Sequence, residues 1–498
     1  MTTRRELLGI LGALPLAGVG GILGPGKLYA EAVTELPRRT LGRTGRQVVP
    51  LALGGIGSLA HPAEGMDAAD IVVRAVQLGI DYLDTSNAYG PSQLLYGEAF
   101  RRLHLRPDDR QYDHALRQRL YLNTKTLGRW ATHPNPPRNF PPNPPPGFQG
   151  AWPPQVPPDF RRPAMDDLKR SLTQMFGDGK GYIPEGAYVD CVQMHMLADI
   201  ESVDRIYEGL EDRGSKMPER IGALAALLDY RDGTNYTGLN PEHRVWIRHI
   251  GLTGHNSPAL MSAIRRDTHD VLDTLLVVLN ANDRVYGSNQ HNVLPLARAR
   301  GMGVIAMKVF AAGAMFSGRA NPRSRSDDVI LTVGAPGAVP PADLIRYPLS
   351  LPGVTCAVTG IGHIDRQRPE SDQLVSNLAA GVGNMPSPEG RLSIERAVAE
   401  RAGTNTNYFQ ERIPALVQPT DVHTRKDGDR VEVRWGTAVA SADPIRSYQV
   451  RAGGKVLVSL PARPQLTEEP FMATIPAAEL GSEPITVVAS TAEPRARA

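Results

Sequence analysis

Cysteine is scarce: Cys191 and Cys356 are the only two in 498 residues. That excludes a disulfide scaffold and a cysteine-ligated iron–sulfur cluster, which usually takes four thiolates. An excess of charge of one sign is also missing. Lys+Arg is 55 and Asp+Glu is 52, a net charge of +3, and no basic run forms a nucleic-acid footprint. Past the N-terminus, no apolar run approaches the roughly 18 residues that would suggest a membrane helix. HExxH and closely spaced Cys/His clusters are absent, so nothing in the pattern points to zinc. What remains, 41% hydrophobic and 21% charged residues, is ordinary for a globular chain and excludes wholesale disorder.

Residues 1–32 read as a signal peptide. Arg4-Arg5 precedes a Gly/Ala-rich apolar stretch from Leu7 to Leu23, and Ala30-Glu-Ala32 offers a small-residue cleavage site. The arginine pair resembles a twin-arginine signal. Five glycines and Pro15 make the stretch a poor permanent membrane helix. The expectation is an exported protein, periplasmic or extracellular, that folds before export, a route that would let a cofactor be loaded first, and that has no membrane span in its mature form.

From Val48 the pattern alternates strand and helix. Strand candidates are Val48–Ile56, Ile80–Thr85, Leu120–Lys125, Val189–Met196, Ile247–Thr253, Leu275–Asn280, Val304–Phe310 and Thr355–Ile361. Helical spacing separates most of them. Eight such strands predict an α/β fold, a (β/α)8 TIM barrel, over residues 36–384. Residues 131–163 hold 13 of the 43 prolines. Proline lacks an N–H, so this insertion is neither a central strand nor a regular helix. It follows the third strand, on the face where barrel chemistry occurs, and reads as a lid or as surface decoration. Residues 385–413 read as a helical extension and linker.

Residues 414–498 change grammar. Arg430–Trp435 alternates with period two, and short strand-like runs recur at Ser447–Val450, Lys455–Leu460, Phe471–Ile475 and Ile485–Ala489. These predict an all-β sandwich. Trp435 and Tyr448, with Pro444-Ile-Arg-Ser between them, give the tail a resemblance to a fibronectin type III module.

Polar residues stand at successive strand ends. Asp84-Thr-Ser-Asn-Ala-Tyr89 closes the second strand, Lys125 the third and His195 the fourth. On the C-terminal face of a barrel such positions read as catalytic. A tyrosine, with an ordinary pKa near 10, is a poor acid alone. A neighbouring lysine favours its phenolate, a carboxylate fixes that lysine, and a histidine orients a carbonyl oxygen. The set suits protonation of an alkoxide as hydride reaches carbon. Each residue also has a bland role: Asp84 a turn cap, Tyr89 a half-buried ring, Lys125 an ion pair, His195 a satisfied core histidine. Cys191 and Cys356 read as small buried hydrophobes.

Over Thr40–Leu378 the chain resembles the aldo-keto reductase family. The markers, in order, are Thr40-Leu-Gly-Arg-Thr-Gly45, Asp84 to Tyr89, Lys125, Tyr188-Val-Asp-Cys-Val-Gln-Met-His195, Ile250-Gly-Leu-Thr-Gly254 and Gly303-Val-Ile-Ala-Met-Lys308. The resemblance implies an NADP-linked oxidoreductase, with NAD a second option. It implies Tyr89 as general acid/base, Asp84 and Lys125 as its tuners, and His195 as carbonyl orienter. It also implies cofactor contacts from Asp84, Thr253, Gly254, Asn280, Met307 and Lys308, with Gly54 and Gly55 letting the backbone approach the nicotinamide. At Met307 a thioether stands where the family often stacks an aromatic ring. Gly360 and Gly362 lead into a helix whose N-terminus suits phosphate. Arg366 with Arg368 suits a 2′-phosphate, and Glu370 the adenine.

The expected substrate is a small carbonyl or alcohol, with a sugar or polyol among the candidates, and the expected partners include no nucleic acid. A second reading keeps the cofactor but little turnover, making the barrel a binding protein or scaffold that docks through its sandwich.

Overall fold

The computed structural model describes residues 36–60, 65–132, 163–214, 221–284, 287–311, 339–402 and 416–492. The signal-like segment 1–32, nearly all of the proline-rich insertion, most of the loop after the seventh barrel strand and the linker from 403 to 413 lie outside them.

A short antiparallel hairpin, β1 (Arg39–Thr40) and β2 (Gln47–Val48), precedes the barrel. The barrel strands are β3 (Leu51–Gly54), β4 (Tyr82–Asp84), β5 (Tyr121–Thr126), β6 (Val189–Met194), β7 (Ile247–Gly254), β8 (Thr274–Val278), β9 (Gly303–Met307) and β10 (Val354–Thr359). They run in sequence order, and β10 pairs with β3 to close the ring. All these pairings are parallel. The strands read as near-continuous apolar runs because helices cover them outside and side chains fill them inside. Leu41, Val48, Tyr82, Tyr121, Cys191, Leu276, Ile305 and Cys356 share one interior cluster. Both cysteines are buried there, and burial pushes the Cys191 thiol up to about 12, so the reading of them as apolar filler holds.

The outer helices are α1 (Ala68–Gln77), α2 (Ser92–Arg102), α3 (His114–Arg119), α4 (Ala164–Phe176), α5 (Ile200–Tyr207), α6 (Ala223–Asp232), α7 (Ser257–Arg266), α8 (Val293–Ala299), α9 (Pro341–Leu349), α10 (Gln373–Val382) and α11 (Pro388–Ala402). Several start on a capping side chain: Asp67 accepts from the Ala69 and Asp70 amides, and Asp372 from those of Leu374 and Val375. Such caps satisfy amides that the helix leaves unpaired.

The tail forms two three-stranded antiparallel sheets. One holds β11 (His423–Asp427), β12 (Arg430–Trp435) and β15 (Phe471–Pro476). The other holds β13 (Ser447–Ala452), β14 (Lys455–Pro461) and β16 (Ile485–Ser490). Alternate residues of both sheets, among them Val433, Trp435, Tyr448, Val450, Ala473 and Val487, share one core. The unit docks on the barrel through the β8–α8 loop. Asn292 exchanges bonds with the Ala440 amide and carbonyl, both at 2.8 Å, and the Ser441 carbonyl meets His291 Nδ1 at 2.9 Å.

Candidate active site

Barrel register places the site. Gly54 pairs with Asp84, Asp84 with Asn123, and Lys125 with Gln193. Each polar side chain therefore enters from the C-terminal end of its own strand. Lys125 is buried, and its Nζ donates to Asp84 Oδ1 at 2.6 Å and to the Thr85 carbonyl at 2.8 Å. Tyr89 lies over this pair, its ring centroid 4.7 Å from Nζ. The His195 ring meets the Tyr89 ring edge-on, with centroids 5.6 Å apart. The four residues singled out from the sequence thus occupy one site.

The loop bearing Tyr89 is a turn held from several sides. The Tyr89 amide donates to the Ser86 carbonyl at 3.1 Å. Asn87 Nδ2 donates to the Lys125 carbonyl, the Asp167 carbonyl and Ser171 Oγ at 3.2, 3.0 and 3.0 Å. Sequence reasoning also passed over Asn123, which donates to Asp84 Oδ1 at 2.8 Å and to Gln193 Oε1 at 3.1 Å. Asn123 and Lys125 are two apart on one strand. The period-two rule places them on one face, and that signal was available.

The electrostatics revise one expectation. A lysine beside Tyr89 was to favour its phenolate. Instead, desolvation and then the Asp84 carboxylate push the phenol up, outweighing the ammonium of Lys125, which lies under the ring and is bonded to Asp84. Burial, together with the cations of Lys125 and Arg129, pushes His195 well down. At neutral pH the site therefore presents a neutral phenol and a neutral imidazole.

The cofactor residues separate into groups. Gly54 and Gly55 form a tight seam. A Cβ on Gly54 would lie 2.9 Å from Val358, and one on Gly55 would lie 2.5 Å from the Asp84 carbonyl. Thr359 Oγ1, beside this seam, is buried and has no hydrogen-bond partner among the described residues. Thr253 and Met307 meet at the barrel end, with Oγ1 3.9 Å from Sδ. A Cβ on Gly254 would press on the Leu197 carbonyl. Lys308 adopts φ +57°, a strained conformation of the kind found at functional sites.

Asn280 departs from the expected role. Its Nδ2 donates to Asp283 Oδ2 at 2.6 Å and to the Lys308 carbonyl at 2.9 Å. Its Oδ1 accepts from the amides of Asn282 and Asp283. The carboxamide is spent on folding its own loop, so Asn280 positions Lys308 and offers nothing to a nicotinamide.

At the far end, Gly362 and His363 direct their amides at one acceptor, as a phosphate cradle would. The acceptor is Gln373 Oε1, at 2.8 and 3.2 Å. The Ile361 amide donates to Ser58 Oγ at 2.8 Å. The helix N-terminus itself is capped by Asp372, paired with Arg74 at 3.2 Å, so the loop and not the helix end supplies the cradle. The Gly360 backbone packs on Gly57. Arg366 forks onto Asp70 at 2.7 and 3.2 Å and reaches Gln77 at 2.7 Å. Arg368 pairs with Asp365 at 2.9 Å, and Glu370 is exposed. The glycine seam, the orphan Thr359 hydroxyl and the paired amides fit a dinucleotide. The two arginines called on for a 2′-phosphate are already matched by carboxylates.

Residues 50–330 match the model of the Aldo/keto reductase family. The structure is similar to a putative aldo-keto reductase from Pseudomonas aeruginosa, with 20% identity over 69% of this chain and 94% of that one and a TM-score of 0.39. It is also similar to the apo form of an aldo-keto reductase from Bacillus halodurans, with 17% identity over 75% and 99% and a TM-score of 0.42. No curated protein matches the sequence.

Proposed function

Because the chain belongs to the aldo/keto reductase family, and so is an oxidoreductase, we propose that it moves hydride between NADP(H) and a small carbonyl or alcohol, with Tyr89 as the proton donor and acceptor. The observation that carries this reading is the stack of Asp84, Lys125, Tyr89 and His195 at one barrel end.

Reduced nicotinamide, when bound, supplies the hydride. The chain's own residues do the rest. The glycine seam and Thr359 would take the cofactor beside Asp84, with Gly362 and His363 donating to its phosphates after Gln373 yields. His195 donates a hydrogen bond to the carbonyl oxygen and fixes its direction. Negative charge then develops on that oxygen beside the Tyr89 hydroxyl, which gives up its proton. Lys125 sits under the ring and stabilises the phenolate left behind, while Asp84 holds the ammonium in place. The test is direct: the purified protein should quench NADPH fluorescence on binding and oxidise it when 4-nitrobenzaldehyde is added. Absence of binding under any condition overturns the proposal.

The choice between NADP and NAD follows from Arg366. Its carboxylate partner Asp70 competes with a 2′-phosphate, and exposed pairs of this kind are worth up to about 1 kcal/mol. Asp70→Asn should therefore tighten NADPH binding up to about fivefold and leave NADH unchanged, as read by fluorescence titration. An equal change for both cofactors would remove Arg366 from the 2′-phosphate site.

The N-terminal pattern supports export by a twin-arginine route, which would carry the folded protein with its cofactor. Replacing Arg4 and Arg5 by lysine should retain the protein in the cytoplasm on cell fractionation. Unchanged export would refute that route.

A further inference from the structure

Tyr89 and His195 are joined by a residue that the proposed chemistry has not yet used. Ser86 opens the turn that carries Tyr89, and it is 1% exposed. Its Oγ accepts from the Ala88 amide at 3.1 Å and lies 3.1 Å from His195 Nδ1. These are its two partners among the described residues. A serine hydroxyl has one proton to donate. Ala88 is a donor, so that proton has one acceptor available, the Nδ1 lone pair.

We propose that Ser86 is a positioning residue that fixes His195 in the Nε2–H tautomer, aiming an N–H at the carbonyl oxygen. This inference rests on the carbonyl-reducing reading above. The argument is one of direction. In a neutral imidazole one nitrogen donates and the other accepts, and the bond at one nitrogen sets the other. If Nδ1 carried the proton, Nε2 would turn a lone pair toward the substrate oxygen and repel it. With Ser86 donating to Nδ1, Nε2 carries the proton. Among the described residues Nε2 meets no partner, and it is left for the substrate. The low proton affinity of the buried ring supports the same picture, since an imidazolium would donate from both nitrogens and would not need Ser86. Ser86 thus serves both halves of the site. Its carbonyl and Oγ shape the turn under Tyr89, and its hydroxyl proton orders His195.

The tautomer is measurable without turnover. In protein labelled with 15N-histidine, and with His195→Asn identifying the resonance, the two nitrogens of His195 should report Nε2–H in the wild type with NADPH bound. Ser86→Ala should mix the tautomers and lower kcat/KM by about tenfold, the size of one lost hydrogen bond, with NADPH affinity unchanged. Ser86→Thr, which restores a hydroxyl, should recover the wild-type signal. Nδ1–H in the wild type would overturn the inference. So would a Ser86→Ala protein that binds NADPH and keeps the wild-type tautomer and rate. Failure to bind or oxidise NADPH would instead overturn the function proposed above, and the tautomer of the wild-type protein would still be read.

Discussion

Tyr89→Phe is expected to lower turnover by about three orders of magnitude, the middle of the range for a general acid, and to leave NADPH affinity within about twofold. The ring would remain. Its face would still lie 4.7 Å from the Lys125 ammonium and its contact with His195 would persist, so the packing around the site should hold. Only the hydroxyl group, with the proton it donates, is removed. The same argument fixes the pH profile of the wild type. The phenol is pushed up from its ordinary value by desolvation and by Asp84, so the protonated form needed for reduction persists through neutral pH. His195 is pushed down, so it stays neutral as pH rises from mildly acid values. Neither group changes charge between about pH 6 and about pH 9, and the reductive kcat should be flat there. Alcohol oxidation needs the base form, so its rate should climb with pH. A reductive profile that falls with an apparent pKa near 7 would show that another group gives the proton. Full activity in Tyr89→Phe would remove Tyr89 from the chemistry altogether.

The catalytic side chains were legible in the sequence because barrel topology converts order along the chain into position in space. A polar residue at the end of an apolar run has one place to go, and Asp84, Lys125 and His195 each end such a run. The cofactor side was less legible for three physical reasons. Asn280 looks like a free carboxamide until its loop folds back onto it. Arg366 looks like a phosphate ligand until Asp70, 296 positions earlier, is brought beside it. Gln373 has no signature at all, since its role depends on the path of the Gly362–His363 backbone. Ser86 was written inside the motif, but its bond to His195 spans 109 positions, and no local pattern carries that. Among the elements, α2 carries Gly97 at its middle, which weakens its helical pattern in the sequence. The glycine is there for packing: a Cβ would collide with the Gln174 carbonyl of α4. Strand β11 was missed because all five of its residues are exposed, so it has no apolar face to alternate.

Lys125→Met is expected to cost more than activity. Lys125 and Asp84 are both buried, and their ion pair is 2.6 Å long. Removing one member of such a pair leaves a charge without its partner in a low-dielectric interior, at a cost of about 3–5 kcal/mol. Among the described residues, Asp84 would keep only the Asn123 carboxamide as a side-chain donor. The midpoint of thermal unfolding should fall by several degrees, and reduction should be lost because the phenolate of Tyr89 would form without a cation beneath it. The double variant Lys125→Met/Asp84→Asn separates the two effects. It removes both charges, so the midpoint should recover, while turnover should stay lost. The pH dependence of stability gives an independent check. Burial pushes Lys125 below its ordinary value of 10.5, against the opposing pull of Asp84. The folded state then holds this proton less tightly than the unfolded state does, so the unfolded chain binds more protons between the two values. Stability contributed by this group rises with pH across that window, and the rise should be absent in Lys125→Met. Should the double variant remain as unstable as the single one, the loss would lie in the packing of the lysine stem against the barrel wall, and the ion pair would be a catalytic device held at little structural cost.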